Sequence, residues 1–368
     1  MPDRVPLIID CDTGIDDSLA LLYACASEEA EIVAVTCCSG NVEAHQVADN
    51  TRAVLELAGR PDIEVALGRT VPLVRPLEIT PETHGPKGIG HAELPPPSRP
   101  LSLRHGADLI VEEARRRPGE ITLVTLGPLT NVAVALQREP QLPVLVRRLV
   151  AMGGAFRVPG NTTPTTEWNI HCDPEAASAV FDAFAGARLH PLVLGLDVTE
   201  QAKVVPDHLV ALARRAGCRP DDAIVLARGE DPLRPTGSVA ANPVVRFVAD
   251  ALRFYMEFHA RYDGFYGAFV HDPLALAAAL DPGLVRAEAV RVDVDTAGGA
   301  ADGLTIADWR RLTGKPPNVH VGVTADAEEF LRRFIERVGG LAERHPDVAP
   351  YRAQGKETGS RRPGRGVP

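Results

Sequence analysis

An α/β fold built on a mostly parallel open sheet, with helices on both faces, is what the sequence predicts. Three observations lead there. Short runs rich in Val, Ile and Leu alternate with longer helix-like patterns through the first half of the chain. The strand-like runs are almost continuously apolar, as strands covered on both faces are. The overall balance, 45% apolar and 24% charged residues, is that of a globular protein and excludes a largely disordered one. A sheet of this kind gathers its functional loops at the carboxyl ends of its strands.

The elements follow in order. Residues 5–9, 31–37, 63–67, 121–125, 149–152 and 192–196 read as buried strands. Between them, residues 17–27, 42–58, 102–116, 129–137 and 173–184 carry helical patterns, and this alternation is the mark of a parallel sheet. Residues 72–100 contain eight prolines, which continue neither a helix nor a central strand, so they predict a long surface loop. A second irregular stretch, 217–238, precedes a helical run over 243–262. Beyond residue 281 come strand-like segments at 287–295 and 319–324, then an amphipathic helix over 327–338. No internal repeat occurs. The reading is one catalytic domain over residues 1–345 and a basic tail over 352–368, whose Gly, Arg and Pro content predicts disorder.

Charge narrows the range of partners. The chain carries −10, yet the last 17 residues hold five basic residues and one acid, so the body before them carries −14. A body that acidic disfavours nucleic acid and suits a neutral ligand or a cation. No stretch reaches the roughly 18–20 apolar residues of a membrane helix, and the N-terminus turns acidic too early for a signal peptide. The expected location is the cytoplasm. Six cysteines without a C-x-x-C pair are expected to be free thiols.

The chemistry concentrates in Leu7-Ile8-Ile9-Asp10-Cys11-Asp12-Thr13-Gly14-Ile15-Asp16-Asp17. Four carboxylates fall within eight residues, directly after a strand expected to be buried. Like charges that close oppose one another unless a cation or hydrogen-bond donors compensate. A capped, solvated acidic turn accounts for one or two of them but not for four. Oxygen ligands of this kind suit Ca²⁺ or Mg²⁺.

Two patterns compete for the segment. A haloacid-dehalogenase phosphatase begins with D-x-D-x-T after an apolar strand, but Gly14 stands where Thr belongs and Asp16-Asp17 are left unexplained. The pattern D-x-D-x-G-x-D-D matches Asp10 to Asp17 at every fixed position. It is the N-terminal signature of the nucleoside hydrolase family, which this chain resembles. The resemblance continues through Ser39-Gly40-Asn41, His84-Gly85, Leu126-Gly127-Pro128-Leu129-Thr130-Asn131 and Met152-Gly153-Gly154. Asn161, Glu167-Trp168-Asn169-Ile170, Asp173-Pro174-Glu175-Ala176 and His271-Asp272-Pro273 then follow in family order.

That resemblance implies hydrolysis of the N-glycosidic bond of ribonucleosides, with Ca²⁺ as cofactor. It implies an ion held by Asp12, Asp17, the main-chain carbonyl of Leu126 and Asp272. Asp12 is the implied base toward the attacking water, and His271 the implied proton donor to the leaving base. Histidine also titrates near neutrality without large perturbation. Asp16 and Asn169 are the implied contacts of the ribose diol, and Asn161 and Glu167 those of the 5′-hydroxyl. Asn41 is expected to orient the water or Asp12, with Met152 lining the substrate site. His84, in the proline-rich loop, is a base-facing candidate. Tyr262, Phe265 and Tyr266 could stack on the base or simply pack a core. By family resemblance the chain is expected to form a homodimer or homotetramer. A histidine at 271 points to the inosine–uridine or pyrimidine-leaning side of the family. The alternatives are a Mg²⁺-dependent phosphohydrolase and a nucleoside- or sugar-binding protein without turnover.

Overall fold

A computed structural model describes residues 4–219 and 240–345. Through it runs one eight-stranded sheet. Its strands are β1 (Val5–Cys11), β2 (Ala30–Cys37), β3 (Glu64–Leu67), β4 (Thr122–Thr125), β5 (Arg148–Met152), β6 (Leu192–Leu194), β7 (Val285–Val290) and β8 (Val319–Ala325). They stand in the order β3-β2-β1-β4-β5-β6-β8-β7. Every neighbouring pair is parallel except the edge pair β8–β7. The expected mostly parallel sheet is therefore what forms.

The order of the strands positions the site. From β1 the chain builds outward through β2 and β3, then crosses back to lay β4 on the other side of β1. The connections leaving β1 and β4 thus run to opposite faces and open a crevice at their carboxyl ends. The four-aspartate loop leaves β1 at that point, and Leu126 leaves β4 beside it, its N–H donating to the Asp10 carbonyl at 2.8 Å.

Alternation along β1 shows why both faces need covering. Leu7 and Ile9 enter one core while Ile8 enters the other. The first core is completed by α1 (Ile15–Ala26), α2 (Ala44–Leu57), α6 (Pro206–Arg215), α7 (Pro243–Tyr262), α8 (His271–Leu280) and α9 (Ala327–Arg344). The second is completed by α3 (Gly106–Arg116), α4 (Thr130–Arg138) and α5 (Pro174–Ala183). Helix α1 is buried along nearly its whole length, because α2, α8 and α9 all pack against it.

Three expectations need adjusting. The strand expected over 192–196 ends at Leu194, and a short helix, Leu196–Thr199, follows. The strand expected over 287–295 is two: β7, and Val292–Val294, which pairs with Thr305–Ala307 in a separate ribbon. Asn318 causes the division, since its side chain takes both the N–H and the C=O of Val292 away from the main ladder. Helix α6 occupies a stretch where no element was expected. Within the proline-rich loop the only helical turn among the described residues is Pro81–His84, and Arg75 ties the loop down by pairing with Glu175 and Asp302. The expected tail over 352–368, and residues 220–238 of the second irregular stretch, lie outside the described residues. None of the six cysteines is in a disulfide. No helix among the described residues is long and apolar enough to cross a membrane.

Candidate active site

The carboxyl ends of β1 and β4 form the floor of a cavity of about 450 Å³. Asp10, the last acid still within β1, is not part of its lining. Its carboxylate is buried and accepts hydrogen bonds from Thr36 on β2 and Asn131 on α4, so it ties three elements together. Burial nonetheless pushes it up to about 7.

The loop that follows places acids by backbone capping. Asp17, in the first turn of α1, accepts the N–H of Gly14 at 2.8 Å and that of Asp12 at 3.2 Å. Asn41 reaches in from the end of β2, its backbone N–H donating to Asp12 Oδ2 at 2.8 Å and its amide to Asp17 at 3.2 Å. The other oxygen of Asp12, Oδ1, is buried with no hydrogen-bond partner. Asp272 enters from the first turn of α8, and ligand atoms of Asp16, Asp17 and Asp272 lie within 4.8 Å of one another.

This cluster is electrostatically uncomfortable without a counterion. Burial, and then the charge of Asp17, pushes Asp16 up to about 8. Burial and the neighbouring carboxylates raise Asp12 and Asp272 well above the usual carboxylate range, and burial raises Asp17. Buried carboxylates converging on one point, with an unpartnered oxygen beside them, fit a hard divalent cation. Of the residues expected as metal ligands, Asp17 and Asp272 lie in this group together with Asp16, itself expected as a ribose contact; Asp12 is not in the group, and its backbone N–H donates to Asp17. The Leu126 carbonyl lines the cavity and accepts the Asn169 amide at 2.6 Å.

The polar residues expected to hold a sugar lie together, but some are already engaged. Glu167 is buried and caps the short helix Trp168–Cys172, accepting N–H groups of Asn169, Ile170 and Gly154 at 2.8, 3.1 and 2.9 Å. Asn161 is exposed at the rim, its side-chain oxygen accepting the Trp168 N–H at 3.0 Å. Asn169 and Met152 line the cavity below them.

Three histidines line the wall, His84, His259 and His271, and the surroundings of the two expected ones, His84 and His271, differ. His84 Nδ1 accepts the N–H of Ile15 at 3.1 Å at the start of α1. Protonating that nitrogen would set N–H against N–H, so His84 remains neutral and offers only its Nε2–H. His271 Nδ1 lies 2.8 Å from the Thr199 hydroxyl. The expectation that His271 titrates without large perturbation needs correcting: burial, then His259 and His84, brings it down to about 3. Its ring is neutral at pH 7 in this pocket.

The three aromatic candidates divide between the two roles left open for them. Tyr262 lines the cavity, whereas Phe265 and Tyr266 do not. Phe265 stacks on His259 instead, with ring centroids 5.4 Å apart, and Tyr266 packs against the first core. Tyr255, Phe258 and His259 take the wall together with Tyr262 and Phe269. The first three and Tyr262 stand at i, i+3, i+4 and i+7 on α7, a stripe legible in the sequence but indistinguishable there from a core face. His259 Nδ1 pairs with Asp263 at 2.7 Å, and Glu200 adds another acid to this end of the cavity.

Comparison with known proteins agrees with this geometry. Residues 7–332 match the family of inosine–uridine preferring nucleoside hydrolases. The chain is 37% identical over 336 residues to the pyrimidine-specific ribonucleoside hydrolase RihA of Salmonella gallinarum, covering 91% of this chain and 98% of that one. Among solved structures it resembles a purine-preferring ribonucleoside hydrolase from Gardnerella vaginalis, with TM-score 0.79, 32% identity and coverage of 92% and 99%. A plant nucleoside hydrolase gives TM-score 0.78 and 31% identity, with coverage of 91% and 99%.

Proposed function

Since the chain belongs to the inosine–uridine preferring nucleoside hydrolase family and is a ribonucleoside hydrolase, we propose that it hydrolyses pyrimidine ribonucleosides in preference to purine ones, with Ca²⁺ as cofactor. The observation that carries the calcium reading is the buried group Asp16, Asp17 and Asp272 with the unpartnered Asp12 Oδ1 beside it. Asp12, Asp17, Asp272 and the Leu126 carbonyl would hold the ion. When bound, calcium would offset the carboxylate charge and make a water in the site more acidic.

The remaining steps belong to the side chains. Asp12, oriented by the Asn41 N–H on Oδ2, takes the proton of the water attacking C1′ through Oδ1. Asp16 accepts from the ribose 2′-hydroxyl, and Asn169 contacts the diol. Asn161 and Glu167 border the 5′-hydroxyl, and Met152 lies against the sugar. As the C1′–N bond breaks, the sugar turns oxocarbenium-like and the surrounding carboxylates favour its positive charge. Negative charge grows on the departing base, and beside it the imidazole of His271 holds a proton more readily than in the empty pocket. His271 takes that proton from solvent at Nε2 once substrate is bound and delivers it to the base, while Asp12 returns the water's proton to solvent, so the step balances. His84 donates through Nε2–H to the base edge, and the α7 stripe offers Tyr255, Phe258 and Tyr262 as faces for it.

Pyrimidine preference rests on His271 and on the name of the relative at 37% identity. The relative named purine-preferring, at 32%, makes the opposite preference the alternative to test. We further propose a cytoplasmic homo-oligomer, a dimer or tetramer. The deciding experiment incubates the protein with uridine, cytidine, inosine, adenosine and guanosine, with Ca²⁺ or with a chelator, and scores free ribose and free base. Calcium-dependent release from the two pyrimidine nucleosides at the highest kcat/KM is the expected result. Faster inosine or guanosine cleavage would reverse the base assignment, and full turnover in chelator would remove calcium from the reading.

A further inference from the structure

The reaction needs His271 to turn one particular nitrogen toward the departing base, and nothing in the lining of the cavity explains how it does so. The explanation lies one layer behind. Thr199 is wholly buried at the end of the short helix Leu196–Thr199, which directly follows β6. Its hydroxyl oxygen stands 2.8 Å from His271 Nδ1 and 3.2 Å from the carbonyl oxygen of Gly195. A hydroxyl has a single proton and two lone pairs. With that proton directed to the Gly195 carbonyl, the oxygen can only accept at Nδ1.

We infer that Thr199 is a positioning residue that takes the Nδ1–H of His271 and leaves Nε2 as the nitrogen facing the leaving base. The chain of bonds runs from imidazole Nδ1–H to the Thr199 hydroxyl to the Gly195 carbonyl. It holds the ring edge-on and in one tautomer.

His84 shows the reverse arrangement in the same wall. There a backbone N–H donates to Nδ1, which forces the proton onto Nε2 and excludes a second one. Two buried histidines in one cavity are thus set to opposite tautomers by their second partners.

Local backbone makes the arrangement possible. A Cβ at Gly195 would fall 2.5 Å from the carbonyl oxygen of Gly154 and 2.7 Å from the Phe156 ring, so the turn that delivers Thr199 requires glycine there. Thr199 and Gly195 therefore form one device.

The inference rests on the reading of His271 as the proton donor, and the test separates the two. Long-range proton–nitrogen spectra of the full chain labelled with ¹⁵N-histidine read the tautomer directly, with the His271 signal identified by its loss in His271→Gln. The expected signal is a protonated Nδ1 and a bare Nε2; a bare Nδ1 with protonated Nε2 overturns the inference whatever the kinetics. In kinetics, Thr199→Val keeps shape but loses the hydroxyl. It is expected to lose about 10²-fold in kcat on uridine, the lower end of what general acid catalysis contributes. On p-nitrophenyl riboside, whose leaving group needs no proton, it should stay within about threefold. Thr199→Ser should regain most of the loss. An unchanged kcat on uridine, or equal losses on both substrates that Thr199→Ser does not restore, overturns the positioning role. If instead His271→Ala loses equally on both substrates while the spectrum shows Nδ1–H, the proton-donor reading falls and the bond to Thr199 stands as orientation alone.

Discussion

The backbone N–H of Asn41 lies 2.8 Å from Asp12 Oδ2, while Asp12 Oδ1, equally buried, has no partner. One oxygen is fixed and the other kept free, which is how a carboxylate is aimed rather than merely buried. Two glycines let the chain close this tightly around it. A Cβ on Gly40 would fall 2.1 Å from Oδ2, and one on Gly127 would fall 2.6 Å from Oδ1.

Gly127→Ala is therefore expected to displace the working oxygen of Asp12 without straining the backbone, since Gly127 does not adopt a left-handed conformation. A misplacement near 1 Å typically costs about 10²-fold in rate. The expected outcome is a loss of that order in kcat with a melting temperature within a few degrees of the parent. Parental kcat in the alanine variant would show that Asp12 is not the group set by this contact.

Calcium should stabilise the fold as well as support turnover, because binding to the native state alone adds stability by mass action. At a hundredfold excess over Kd that is about 2.7 kcal/mol. Asp272→Asn keeps the shape of a residue that lies with Asp16 and Asp17. The parent should melt at higher temperature with Ca²⁺ than with chelator, and the variant should lose most of that difference. An undiminished calcium-induced shift in Asp272→Asn would place the ion elsewhere.

Much of this was legible from residue patterns, for definite reasons. Helix α7 was bounded correctly over 243–262 because Pro243 and the apolar periodicity mark it, and β1 was evident from its unbroken apolar run. The acids of Asp10 to Asp17 stood out because four carboxylates after a buried strand have no ordinary explanation. The structure then gave Asp10 a different duty from its neighbours, holding Thr36 and Asn131. Other features depend on contacts far apart in sequence. Tyr255 and His259 are not singled out by the sequence, because an apolar stripe has the same spacing whether it faces a core or a cavity. The division of the strand at Arg291 is caused by Asn318, 27 positions further on in the sequence. Glu167, expected to meet a 5′-hydroxyl, proved to be capping three N–H groups, a role that depends on Gly154 lying opposite.

Selection for the sugar should be severe. A site built to bond a hydroxyl rejects an analogue lacking it by as much as about 10⁴–10⁵-fold, because its own polar atoms are left unpaired. Uridine should greatly exceed 2′-deoxyuridine in kcat/KM, as Asp16 loses its donor. Uridine 5′-monophosphate should be refused, since its charge would meet the buried Glu167 and the rim held by Asn161. Comparable kcat/KM for uridine and its monophosphate would mean that the 5′ end of the sugar lies elsewhere.

His271 and His84 should fail in different ways when removed. His271 has no backbone duty in the site; its partner is the Thr199 hydroxyl. His271→Ala should lose about 10²–10⁴-fold on uridine, the range of general acid catalysis, and far less on p-nitrophenyl riboside. His84 instead accepts the N–H of Ile15, in the turn of α1 that carries Asp16 and Asp17. Its removal leaves a buried donor unpaired at the head of that helix, which costs about 1–3 kcal/mol and loosens the floor of the site. His84→Ala should therefore weaken calcium binding, lower the melting temperature and slow both substrates together. Comparing the two variants on the two substrates separates proton delivery from support of the acidic loop. A selective loss on uridine in His84→Ala, with calcium affinity intact, would transfer the proton-donor role to His84 and contradict the neutral ring that its bond to Ile15 requires.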